Sequence, residues 1–158
     1  MNKLLIIYFL TAVSAFAAEL NFSRMENGDK VEITLNARGC FLNATTYYEV
    51  RKSADTCFFT QYAITWDKSI PAKMTEKKVV GELQLTQKDI AGLDNLLGYL
   101  RGKKETGSTT MHSFQVEYYE AGRRIRTENL WDESGGFDMI NRLDVISLKK
   151  LTERFHHN

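Results

Sequence analysis

The sequence is poor in the residues that usually announce chemistry. Its 158 residues hold two cysteines, three histidines and one proline. His156 and His157 sit together in the tail "TERFHHN", and only His112 lies inside the body of the chain. A zinc site needs three or four converging ligands, and no pair of histidines at i, i+4 carries a glutamate between them. Ser108, Ser113 and Ser134 lack both a Gly-x-Ser-x-Gly elbow and a Ser-x-x-Lys motif. There is no P-loop and no dinucleotide-binding glycine fingerprint. No metal, no cofactor and no nucleophilic catalytic residue is therefore expected.

An excess of one charge is also missing, with 21 basic residues against 20 acidic ones. The short basic clusters at Lys77-Lys78, Arg101 to Lys104 and Arg123 to Arg126 each have acids nearby. A nucleic-acid partner would call for a basic face or stripe, so none is expected, nor is attraction to anionic lipid. The one long apolar run, Leu4 to Ala18, is interrupted only by Tyr8, Thr11 and Ser14 and follows Lys3. It falls short of the roughly 20 residues of a comfortable membrane span, and Ala15-Phe16-Ala17 suits a signal peptidase. The expectation is a cleaved secretory signal over residues 1–17, then a single globular domain over 18–158. The protein would be exported to the periplasm or the extracellular space, with no membrane anchor after cleavage. Without the leader, 20 basic residues face 20 acidic ones. A hydrophobic content of 43% argues against disorder.

What is present is strand pattern. "ELNFSRMENGDKVEITLN" alternates on either side of Asn27-Gly28, the strongest short hairpin signal, and a two-residue loop would pair Phe22 with Ile33 and Leu20 with Leu35. "ATTYYEVRK" and "TCFFTQYAITW", joined by Ser53-Ala54-Asp55, predict a second hairpin, and "KKVVGELQL" a fifth strand with Gly81, Leu83 and Leu85 on one face. From Gln87 the period becomes helical, with Ile90, Leu93, Leu97 and Leu100 on one stripe and Thr86 and Asp89 placed for an N-terminal capping box. A third hairpin turns at Ala121-Gly122, where a two-residue loop sets Tyr118 against Ile125, Val116 against Thr127, Glu117 against Arg126 and Tyr119 against Arg124. Phe137, Ile140, Leu143, Leu148 and Leu151 suggest a second helix. The fold class is thus α+β: an antiparallel sheet of about seven strands, ordered β-β-β-β-β-α-β-β-α, with two helices on one face.

Cys40 and Cys57, the only cysteines of a chain read as exported, are expected to form one structural disulfide. Closing a loop of that length would stabilise by roughly 3 kcal/mol in the chain-entropy model. Two regions carry binding-type residues. One is "LWDESGGFD", in which Trp131, Asp132, Glu133 and Asp138 surround a Ser-Gly-Gly turn. A tryptophan beside acids suits sugar stacking or oxygen ligation, and Ser134 or Asp138 capping the next helix is the plain alternative. The other is the wet face expected on the last hairpin, with Gln115, Glu117, Tyr119, Arg124, Arg126 and Glu128. Tyr and Arg are enriched at binding hot spots, although Glu–Arg pairs also decorate solvated sheets.

The functional expectation is a non-enzymatic exported binding domain, of the inhibitor or immunity type, whose partner is another protein or a cell-envelope polymer. Candidate binding residues are Tyr119, Arg124, Arg126, Trp131, Asp132 and Glu133. An alternative is a small hydrolase of carbohydrate or cell-wall polymer using carboxylates near Asp132, Glu133 and Asp138. Such an enzyme needs only two placed acids and leaves little local signature. A further alternative, a carrier of a small apolar ligand, needs a cavity between sheet and helices.

Overall fold

In the computed structural model, residues 19–39, 42–66, 74–103 and 111–132 are described. A short 3₁₀ helix (Phe22–Arg24) precedes β1 (Lys30–Gly39), β2 (Leu42–Ser53), β3 (Thr56–Trp66) and β4 (Met74–Leu85). Helix α1 (Gln87–Arg101) follows, then β5 (Met111–Glu120) and β6 (Arg123–Asp132). Every pairing is antiparallel, and the strands lie in the order β4-β3-β2-β1-β5-β6. Because β4 is an edge strand and β5 sits beyond β1, α1 is the connection that carries the chain over one face of the sheet. The α+β class holds, with six strands and one α-helix among the described residues. The second helix expected from Phe137 to Leu151 lies outside them.

Strand alternation builds one core. Val31, Ile33, Val50, Phe59 and Val116 are each at most 4% exposed, and Ile90, Leu93, Leu97 and Leu100 bring the apolar stripe of α1 against them. The helix starts where its capping residues place it. The Thr86 hydroxyl accepts from the Asp89 N–H at 3.2 Å, and Asp89 Oδ2 accepts from the Thr86 N–H at 2.8 Å. The β2–β3 hairpin and the strand face of Gly81, Leu83 and Leu85 also match expectation, with Gly81, Leu83 and Leu85 opposite Gln61, Phe59 and Cys57.

The first expected hairpin does not form. Asn27-Gly28 does turn the chain, with Gly28 at φ +92°, but the turn docks on the β2–β3 end of the sheet. Gly28 N–H donates to the Lys52 carbonyl at 3.1 Å, and Ala54 N–H donates to Asn27 Oδ1 at 2.8 Å. The segment before it turns into 3₁₀ helix because its own polar groups outcompete a ladder. Asn21 Oδ1 accepts from the Ser23 N–H, and Asp94 on α1 accepts from the N–H groups of Phe22 at 2.6 Å and Ser23 at 3.2 Å. Leu20, Phe22 and Met25 are still buried, but in the core beside α1 rather than across from Ile33 and Leu35. That accounts for six strands where seven were expected.

The expected Cys40–Cys57 bridge is ruled out by register. Gly39, the residue before Cys40, pairs with Leu42, whereas Cys57 pairs with Lys52, ten residues further along β2. Ten residues of strand span roughly 33 Å, and the step from Gly39 to Cys40 covers only about 3.8 Å. A disulfide needs Cα atoms within about 7 Å. Cys57 is a free, buried thiol opposite Leu85, and burial pushes its pKa up. Cys40 itself lies outside the described residues. Adding reductant should therefore leave the unfolding temperature of the monomer unchanged, and non-reducing mass spectrometry should find no intrachain link. A drop of several degrees on reduction would contradict the register.

Candidate binding surface

The residues one step out of phase with the core share the other face of the sheet, where no described helix lies. They include Lys30, Glu32, Glu49, Arg51, Phe58, Thr60, Tyr62, Glu117 and Tyr119, aligned across β1, β2, β3 and β5. Their side chains form a connected polar array. Glu32 Oε1 receives Lys30 Nζ at 2.8 Å and lies 3.6 Å from Lys77 Nζ of β4. Lys77 sits 4.1 Å from the Tyr62 ring centroid, Lys30 sits 4.4 Å from that of Tyr119, and the Arg51 guanidinium sits 4.4 Å from that of Phe58. Tyr62 OH donates to Glu49, and both Arg51 and the Thr60 hydroxyl donate to Glu82. Three rings thus already carry a cation on one face, an arrangement that competes with stacking a sugar there.

Neighbouring groups set the protonation of Glu32, Tyr62 and Tyr119. Burial alone would raise the Glu32 carboxyl, but the Lys30 hydrogen bond and the Lys77 charge outweigh it and hold it below the usual carboxylate range. Burial together with neighbouring carboxylates raises the phenols of Tyr62 and Tyr119. Glu32 therefore stays ionised and both tyrosines stay protonated, which suits recognition better than proton transfer.

The last hairpin contributes the most exposed part. Tyr119 faces Arg124 as expected from a two-residue turn. Arg124 Nη1 donates to Glu117 Oε1 at 2.6 Å, and Tyr119 OH donates to Glu117 Oε2 at 3.3 Å. The Arg124 side chain is 60% exposed and that of Glu117 is 20% exposed. Beyond this rung a β-bulge at Ile125 shifts the register, so Tyr118 faces Arg126, Glu117 faces Thr127 and Val116 faces Glu128. The expected pairs Tyr118–Ile125, Val116–Thr127 and Glu117–Arg126 are each displaced by one residue. Arg126 and Glu128 consequently point to the α1 side, where Arg126 Nε meets Glu128 Oε1 at 2.9 Å and Glu128 pairs with Arg101 of α1.

The expected binding residues are thus divided. Tyr119 and Arg124 stand together, joined through Glu117. Trp131 faces Ser113 and shares their face, at the opposite end of β6. Arg126 is on the other face. Asp132 closes β6 opposite His112, while Glu133 and Asp138, the remaining acids of the hydrolase reading, lie outside the described residues. Lys30, Glu32, Glu49 and Tyr62 were not singled out in the sequence, and Lys77 only as part of a short basic cluster. The parity of each strand was the available signal for them.

Among the described residues, a pocket of about 10 Å³ between sheet and helix is lined by Phe22, Ile33, Leu93, Leu97 and neighbours, room for about one water. Among the described residues no three His, Cys, Asp or Glu side chains converge as a metal would require, and no helix is long and apolar enough to cross a membrane. Compared with known proteins, the chain matches no family model, and no curated protein or solved structure matches it significantly.

Proposed function

We propose that this chain is an exported, non-enzymatic domain that binds another protein through the sheet face on which no described helix lies, centred on Tyr119, Glu117 and Arg124. The observation that carries this reading is the pre-set geometry of that cluster. Glu117, itself largely covered, holds the exposed Arg124 guanidinium and the Tyr119 hydroxyl in place. Side chains ordered before contact lose little entropy on binding, and exposed Tyr and Arg are the residue types that anchor interfaces. Export rests on the leader read in residues 1–17.

The double variant Tyr119→Ala/Arg124→Ala should stay folded with a modest loss of stability, because both residues sit outside the core but Glu117 loses the two partners that hold it. It should weaken capture of the partner by roughly thirtyfold or more, the range expected when a hot spot is removed. Quantitative cross-linking pull-down from cell-envelope extract with both proteins checks this. Equal recovery by the variant, or no partner recovered by the wild type, rejects the surface.

A further inference from the structure

The two edges of the sheet differ, and β4 is the one that invites a partner. Among the described residues its only strand partner is β3, so the N–H and C=O groups on its outer side are left for another strand. Glu76 to Val80 form an unbroken exposed run, in which Val79 is 53% and Val80 49% exposed. We infer that β4 pairs with β4 of a second copy of this chain, antiparallel about a two-fold axis, joining two six-stranded sheets into one.

A bulge sets the register of that pairing. Gln61 and Tyr62 are consecutive on β3, yet they pair with Gly81 and Val79, which leaves Val80 as an extra residue in β4. Lys77 and Glu82, five residues apart, would lie on opposite faces of a regular strand. With the extra residue between them they share one face. Lys77 lies 4.1 Å from the Tyr62 ring centroid and 3.6 Å from Glu32, and Glu82 accepts from Thr60 and Arg51 on that same side. Residues directly opposite each other in an antiparallel pair share a face. Setting Lys77 against Glu82 of the second copy meets that requirement, and the two-fold repeats the pair on the other side of the axis. The same register puts Val79 against Val80 of the second copy at the axis, and Lys78 against its Gly81. Opposite charges thus flank an apolar centre, and the edge complements itself.

Lysines and a bulge on an edge strand ordinarily keep other strands away, but here Glu82 supplies the charge that answers Lys77. The β6 edge has no such match. Ile125 is 47% exposed at its own bulge, and a copy of β6 centred on it would set Arg124 against Arg126, like charge against like. Pairing through β4 alone closes on itself and stops at two chains. It leaves both Tyr119 clusters uncovered on one side of the joined sheet and does not depend on what they bind.

One strand from each copy is a narrow contact, so a dissociation constant in the micromolar range is expected. Analytical ultracentrifugation of the purified protein, over a dilution series from millimolar to micromolar, should show dimer passing to monomer and nothing larger. Lys77→Glu and Glu82→Lys each set like charges opposite at two symmetric rungs, and each should weaken the dimer by roughly tenfold or more. Mixed in equal amounts, the two variants should form a heterodimer within a few-fold of wild-type affinity, because each of those rungs then holds one acid and one base. Variants that had failed to fold could not give that rescue. Val79→Lys/Val80→Lys, on exposed positions, should stay folded and abolish the dimer, whereas Tyr119→Ala/Arg124→Ala should dimerise as the wild type does. A wild type that stays monomeric throughout, one that grows beyond two chains, or a mixture that associates no better than its separate components overturns the inference.

Discussion

Replacing Phe59 with alanine is expected to lower the stability of the domain by about 3–5 kcal/mol, against a total of roughly 5–15 kcal/mol for a domain of this kind. Phe59 is fully buried at the centre of β3, opposite Val50 on one side and Leu83 on the other. Its ring stacks on that of Tyr48 with centroids 5.2 Å apart. Truncation therefore removes buried apolar area, a ring–ring contact of about 0.5–1.5 kcal/mol, and leaves a void that flanking strands cannot close without breaking their ladders. The neighbouring Phe58→Ala should cost only about 1 kcal/mol, since Phe58 is partly exposed beneath Arg51 on the face opposite α1. Urea denaturation of the two variants checks the contrast. Equal losses would mean that β3 is paired one residue out of the register described.

That contrast shows what was legible in the sequence and what was not. "TCFFT" announces a strand, and period-2 alternation says that its two phenylalanines face opposite ways. Which one is inside follows only from the phase of Val50 and Leu83 across the rungs. Elements whose signals are local were readable: the Thr86–Asp89 capping box, the leucine stripe of α1, and the Ala121-Gly122 turn with its Tyr119–Arg124 rung. Features that depend on partners distant in the chain were not. Asn27-Gly28 has the composition of a hairpin turn, but the Lys52 carbonyl and the Asp94 carboxylate claimed the N–H groups that such a hairpin would have used. The single extra residue at Ile125 reversed the faces of Arg126 and Glu128, because a one-residue slip exchanges inside for outside. The two cysteines invited a bridge by number alone, and only the β1–β2–β3 register reveals how far the Gly39–Leu42 rung lies from the Lys52–Cys57 rung. The array on the open face, in which Lys77 of β4 reaches Glu32 of β1, could not be anticipated without the strand order.

Arg101 illustrates the same dependence with an energetic consequence. The sequence places it at the end of a helix, where a cation favourably faces the C-terminal carbonyls. In the fold it does more. Its Nε and Nη2 donate to the two oxygens of Glu128 at 2.8 and 3.1 Å, and Nη2 also donates to the Leu20 carbonyl at 2.7 Å. One guanidinium thus ties the end of α1 to β6 and to the segment before the 3₁₀ helix. The side chains are 19% and 10% exposed, so solvent screens the pair only partly. Arg101→Ala should cost about 2–4 kcal/mol, because Glu128 would remain largely covered with the more exposed Arg126 as its remaining cation among the described residues. Most of that loss would be the penalty of a stranded carboxylate rather than the worth of the pair. It follows that Arg101→Met/Glu128→Leu should recover about half of it or more, despite losing two charged side chains. The Leu20 carbonyl bond is the part that such a double variant cannot restore. Urea denaturation of Arg101→Met, Glu128→Leu and the double variant closes the cycle, and a double variant as unstable as the sum of its parts would show that Arg101 and Glu128 act independently.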